Sequence, residues 1–184
     1  IASGFDAHVR EQLPWYDLAT SAVAHIGRHY LPRNGLMYDI GASTGNVGRS
    51  LAKEIQERNV KLVAIEESNE MAAKYTGPGE VVNADALTYD FQMFDFAVAF
   101  LSMMFFPVYD RRDWLNKLCT HIKPGGAIVI VDKTTTPSNY AGTVLRRMTM
   151  AWKVANGVAA EDVIAKELSL AGYQRPLSPS ITEG

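Results

Sequence analysis

One cysteine in 184 residues leaves no partner for an internal disulfide, so nothing in the fold calls for an oxidising compartment. Cys119 lies in a helical pattern that stops before Pro124 and is expected to fill core; a cytoplasmic setting fits. No apolar run approaches the ~18 residues of a membrane span, and the start of the chain lacks the basic-then-apolar layout of a signal peptide, so no membrane partner is expected. Neither sign of charge dominates. Against 20 Asp and Glu stand 18 Lys and Arg, for a net charge of -2, and direct nucleic-acid binding through phosphate contacts is not expected. Histidine is scarce as well. His8, His25, His29 and His121 all fall in helical segments, none after a strand, so no catalytic base is assigned and catalytic residues stay unknown. No convincing pair of metal ligands occurs at helical or strand spacing, and no metal is expected.

What is present is apolar and regularly punctuated. With 47% apolar residues the chain can build one real core and is short for two, so 1–184 is read as one domain. Two helical patterns fill 1–34, ended by Pro32-Arg33-Asn34-Gly35. LMYDIG is then a buried strand, residues 46–58 a helix, KLVAIEE a strand, SNEMAAKY a helix opening on Ser68, and EVVNADAL a third strand. FDFAVAFLSMMFF has the continuous apolarity of a strand buried on both faces. A helix over DRRDWLNKLCTHI is broken by Pro124-Gly125-Gly126 before the strand AIVIVDK, and residues 137–172 form a C-terminal helical region. Five strands alternating with helices make an α/β fold, doubly wound on a mainly parallel sheet, with extra helices at both ends. The start at Ile1 and the loop-like QRPLSPS near the end are compatible with a piece of a longer product, incomplete on its C-terminal side.

Ligands of such sheets bind beyond the carboxyl ends of the strands, which places the site at the turn Gly41-Ala42-Ser43-Thr44-Gly45. A dinucleotide turn needs a glycine where this chain has Ser43, because a pyrophosphate demands close backbone approach there. The Gly-Lys-Ser/Thr of a phosphate-binding loop is missing too. A nucleoside carrying an amino-acid tail fits better: Asp39 can meet its ammonium group. The other reading of Asp39 is a carboxylate that bonds its own turn. At the end of the second strand Glu66 can accept both hydroxyl protons of a ribose, while Glu67 beside Ser68 favours the next helix terminus. Asp85 is placed to accept from an adenine amino group, with Ala84 and Ala86 leaving room for the ring.

These segments resemble a known family. DIGASTG is similar to the first motif of class I S-adenosylmethionine-dependent methyltransferases, AIEES to their second-strand acid, NADAL to their adenine turn and IKPGGAIVIVD to the approach to their fifth strand, together spanning residues 36 to 132. The resemblance implies S-adenosyl-L-methionine as cofactor, held at Asp39, Gly41, Ala42, Ser43, Gly45, Glu66, Asp85 and Ala86. A narrower likeness covers nearly the whole chain: HVREQLPWYDLA, the serine in the glycine turn, MAWKVANG and AKELSL are similar to carboxy-S-adenosylmethionine synthases of the tRNA wobble-uridine pathway. That likeness implies Tyr16 near the cofactor tail, residues 153–157 over the pocket, prephenate as carboxyl donor, a carboxylated cofactor as product and a homodimer. Two positions depart from it. Phe100 stands at the cofactor where that family carries asparagine, and its carboxylate-gripping arginine has no counterpart before Gly184, since Arg146 and Arg147 fall on a solvated helix face. Methyl transfer to a small or unidentified acceptor, carboxy-S-adenosylmethionine synthesis and a non-catalytic nucleoside-binding or dimerisation module are the three readings that follow. Met103, Met104, Phe105 and Phe106, with Trp15 and Tyr16, serve equally as acceptor pocket or as core.

Overall fold

The computed structural model describes residues 2–178, with side chains from Asp6 onward. Helices α1 (Ala2–Gln12) and α2 (Tyr16–Tyr30) precede the strands β1 (Leu36–Ile40), β2 (Lys61–Glu66), β3 (Glu80–Asn83), β4 (Phe94–Phe100) and β5 (Ile122–Val131). Between the strands run α3 (Asn46–Ser50), α4 (Ala52–Glu57), α5 (Asn69–Ala72) and α6 (Arg111–His121); α7 (Tyr140–Ala155) and α8 (Ala160–Ser169) follow them. All four strand pairings are parallel, in the order β3-β2-β1-β4-β5. Chain direction across the sheet reverses between β1 and β4, which opens a crevice at their carboxyl ends.

Strand periodicity explains the two cores. Tyr38, Ile40, Val63, Ile65, Ala97 and Ala99 point to the face covered by Trp114 and Leu118 of α6, while Met37, Leu62, Phe96 and Val98 meet Val23 of α2 and Leu51. With apolar partners on both faces, β1 is buried over its whole length.

Several local expectations are corrected. The helix expected over 46–58 is split at Leu51, whose backbone leaves helical geometry while its side chain stays fully buried. Pro124-Gly125-Gly126 do not precede the last strand but lie within β5, where the register slips between Phe94 and Phe96, so β5 begins directly after α6. The third strand ends at Asn83 and the fourth at Phe100, where Leu101 turns into a left-handed conformation with φ 56°. Cys119 is exposed, not core: Trp114 and Leu118 occupy the inward face of α6, and the next residue is turned away from it.

Two polar devices fix the segments that follow the carboxyl ends of β4 and β5. Buried Arg111 donates to the carbonyls of Met104, Phe106 and Arg175 at 3.2, 3.1 and 2.6 Å, and Asp132 accepts from the Met104 amide at 2.8 Å. Leu177 enters the core and bridges Thr134 in parallel. By contrast α7 and α8 bury only Gly142, Lys153 and Val163. Lys153 Nζ pairs with Glu167 of α8 at 2.9 Å, and Asn156 donates to the Glu11 carbonyl at the end of α1 at 3.2 Å. Among the described residues no helix is long and apolar enough to cross a membrane.

Candidate functional site

The turn after β1 is tied to β2 before any side chain acts, since the Gly41 and Ala42 amides both donate to the Ile65 carbonyl, at 2.8 and 3.1 Å. Gly45 has φ 89°, and a Cβ there would come within 2.6 Å of the Gly77 nitrogen, so this position requires glycine. Ser43 adopts φ 51° with a side chain present, the kind of strained backbone that clusters at ligand sites.

Acidic groups converge on this turn. Glu66 at the end of β2 accepts from the Ser43 amide at 2.7 Å through one oxygen and from the Ser68 amide at 2.9 Å through the other. Asp39, only 1% exposed, keeps Oδ2 without any hydrogen-bond partner. Burial pushes its carboxyl up to about 7, the Gly48 backbone pulls the other way, and nearby Glu66 adds to the rise. Beyond β3, Asp85 accepts from the Leu87 amide at 2.8 Å, and Ala86 is buried with its carbonyl bonded to the Trp114 indole at 3.0 Å. The Ala84 amide donates to the Glu66 carbonyl at 3.2 Å, so the third acidic turn is fastened beside the second.

On the other side of the crevice the Tyr16 ring meets Phe100 edge-on, with centroids 5.3 Å apart. Burial raises the Tyr16 hydroxyl to about 12, and Asp6 and Asp39 add to this. Arg49 gathers three segments: it reaches the Asp6 carboxylate at 2.7 Å, Thr76 Oγ1 at 2.7 Å and the Thr44 carbonyl. Met103 and Met104 are buried, so the two methionines serve the core, whereas Phe105 is partly exposed. A cavity of about 450 Å³ opens between Trp15 and Leu18 on one side and Trp152 of α7 on the other. A second, of about 600 Å³, lies between α1 and α8, lined among others by Glu11, Gln12, Asp162 and Lys166. Neither is lined by Asp39 or Glu66.

Residues 37–126, the span that carries every one of these acidic turns, match the family model described as a methyltransferase domain. Those residues carry a class I S-adenosylmethionine-dependent methyltransferase domain. The chain is 28% identical over 182 residues to the carboxy-S-adenosyl-L-methionine synthase of Staphylococcus epidermidis, covering 96% of this chain and 79% of that protein. To the synthase of Photorhabdus laumondii it is 26% identical over 179 residues, 92% of this chain and 71% of that one. Among solved structures, the plantazolicin methyltransferase BpumL in complex with SAH superposes with a TM-score of 0.64 at 15% identity, over 98% of this chain. This chain spans 65% of that structure's length. CalS10, an amino pentose methyltransferase from Micromonospora echinaspora, superposes with a TM-score of 0.57 at 22% identity, over 70% of this chain and 55% of its own.

In this methyltransferase domain the structure brings Asp39, Gly41, Ala42, Ser43, Gly45, Glu66, Asp85 and Ala86 to one edge of the sheet, with Tyr16 and Phe100 facing each other across from them. The histidines do not join them: His8, His25 and His29 are exposed on α1 and α2, and His121 ends α6. Arg146 and Arg147 lie exposed on α7. Sequence reasoning missed Asp6, Thr44 and Arg49 around the turn. Only the placement of Arg49 directly after Gly48, within the first helical turn past the loop, hinted at a role.

Proposed function

We propose that the methyltransferase domain binds S-adenosyl-L-methionine at the β1–β2–β3 edge and transfers its methyl group to a small-molecule acceptor. The single observation that carries this is Asp39 Oδ2, a buried carboxylate oxygen with no partner at the end of β1. Leaving such a group unsatisfied is costly, and an ammonium group offsets that cost. S-adenosylmethionine supplies a methyl on a sulfonium; the chain's own part is alignment, which accounts for much of the rate in a displacement. Asp39 takes the amino group, Glu66 the ribose hydroxyls, Asp85 the adenine amino group, and the strained turn the space between. Phe100 and Tyr16 contribute an apolar wall near the tail. Trp15 and Trp152, which face each other across the apolar cavity, suit a flat, apolar acceptor.

Carboxy-S-adenosylmethionine synthesis is the second reading, supported by the likeness over nearly the whole chain to synthases. Against it stand the apolar Phe100, the solvated Arg146 and Arg147, and the pairing of buried Lys153 with the chain's own Glu167. We also infer pairing with a second copy through α7, where Val144, Leu145 and Met148 are exposed; sedimentation should give a dimer, and a monomer refutes it.

The deciding experiment incubates the protein with S-adenosylmethionine, with and without prephenate, and weighs the nucleoside products alongside calorimetric binding of S-adenosylhomocysteine. Binding without a carboxyl mass gain, together with release of S-adenosylhomocysteine when a small-molecule acceptor is added, supports methyl transfer, whereas binding with no product from any acceptor supports a non-catalytic module. A carboxylated product formed only with prephenate supports the synthase, and absence of binding rejects both.

A further inference from the structure

Among the described residues four buried polar side-chain atoms lack partners: Gln12 Oε1, Asp39 Oδ2, Ser43 Oγ and Ser102 Oγ. Asp39 and Ser43 belong to the turn already described. Ser102 does not, yet it lies against that turn. A Cβ placed on Gly41 would come within 2.4 Å of the Ser102 Cβ and 3.2 Å of its Oγ, so the hydroxyl sits over the Gly41 backbone.

The chain goes out of its way to put it there. Leu101, with φ 56°, bends the end of β4 while its amide still holds the Val131 carbonyl at 2.6 Å. Ser102 then occupies the N-cap of the short helical turn Met103–Phe105, a position where a serine hydroxyl normally accepts from the backbone. Here it makes no such bond, although the Ser102 carbonyl does accept from the Phe105 amide at 3.0 Å. The hydroxyl is only held, not used. Strained backbone at Leu101 and at Ser43 thus flanks Gly41 from two strands, and each strained stretch presents a buried hydroxyl without a partner.

We propose that the Ser102 hydroxyl binds the carboxylate of the cofactor's α-amino-acid end, making the cleft selective for nucleosides that carry that tail. Asp39 accepts from the ammonium and the hydroxyls donate to the carboxylate, so a zwitterion satisfies acceptor and donors together. This rests on the cofactor reading given above. Ser102 is a binding residue and takes no part in bond making.

Calorimetry on the Ser102→Ala variant tests it with two ligands, S-adenosylhomocysteine and 5′-methylthioadenosine, which lacks the amino-acid tail. Loss of one hydrogen bond to a charged group should weaken S-adenosylhomocysteine binding about tenfold while leaving the tailless ligand within about twofold. The free protein should melt no lower than before, because an unsatisfied buried hydroxyl has been removed. Ser102→Cys keeps the packing with a poor donor, and the same selective loss is expected. Unchanged S-adenosylhomocysteine affinity, equal losses for both ligands, or a lowered melting temperature overturns the proposal. If the unmutated protein binds neither ligand, the cofactor reading falls first and this assignment with it.

Discussion

Asp6 of α1 and Thr44 of the glycine turn share a 2.6 Å hydrogen bond across 38 residues of sequence. Arg49 holds the same carboxylate from its other oxygen. Beyond these contacts α1 is held by the Arg10–Asp17 ion pair at 2.8 Å and by Asn156 on the Glu11 carbonyl, with Gln12 buried and Val9 packed at the margin of the core. The helix therefore covers the turn by a polar latch. Asp6→Ala should lower stability by about 1–2 kcal/mol, since the pair is partly solvated, and should speed both entry and release of S-adenosylhomocysteine. Stopped-flow fluorescence with unaltered rates would show that α1 is no cover.

Asp39 should leave its mark on pH dependence. With its carboxyl pushed up to about 7 by burial, the folded chain holds one proton more than the unfolded chain between the ordinary aspartate value of 3.8 and that pH. Stability of the free protein should therefore fall as pH rises through this window, by at most about 1.4 kcal/mol per unit, and flatten above it. Ligand affinity should run the opposite way, because an ammonium needs the ionised carboxylate. In Asp39→Asn the Asp39 contribution to both slopes should vanish; denaturation and calorimetry at stepped pH would expose any that persists.

Gly41 and Gly125 share positive φ, at 70° and 81°, but not surroundings. A Cβ on Gly41 collides with Ser102, while one on Gly125 meets nothing within 4 Å. Gly41→Ala should destabilise by about 3 kcal/mol or more and Gly125→Ala by only about 1–2, from backbone strain alone. Similar urea midpoints for the two variants would contradict the close approach.

Arg111 is a structural charge. Its guanidinium satisfies three carbonyls from inside the fold, and burial lowers its pKa. Arg111→Met should cost about 3 kcal/mol or more by stranding them, and Arg111→Lys should recover little because an ammonium cannot match the planar fork. Full recovery in the lysine variant, read by thermal unfolding, would refute this.

The sheet was legible because β1, β2 and β4 are each dominated by apolar residues, a pattern set by burial on both faces. Glu66 could be named from sequence because it ends the apolar run of β2, and Asp39 because it lies one residue before the end of β1 and the glycine turn. What stayed hidden depends on contacts between distant segments. No local propensity foretells that Leu101 turns left-handed, and without that bend Ser102 is one more polar residue after a strand. Likewise, Leu51 breaks its helix to keep its side chain against the sheet. Pro124 and Gly125 are strand breakers by composition, but at the edge strand β5 a bulge accommodates them.

The Lys153–Glu167 pair has a mechanical corollary. An ammonium that is almost wholly enclosed cannot part from its counter-ion cheaply, so the pair ties α8 to α7. Asn156 hooks the tied helices to the tail of α1, and α1 grips the turn through Asp6. Lifting either element should drag the other with it, so that admission of cofactor and admission of acceptor become one event rather than two.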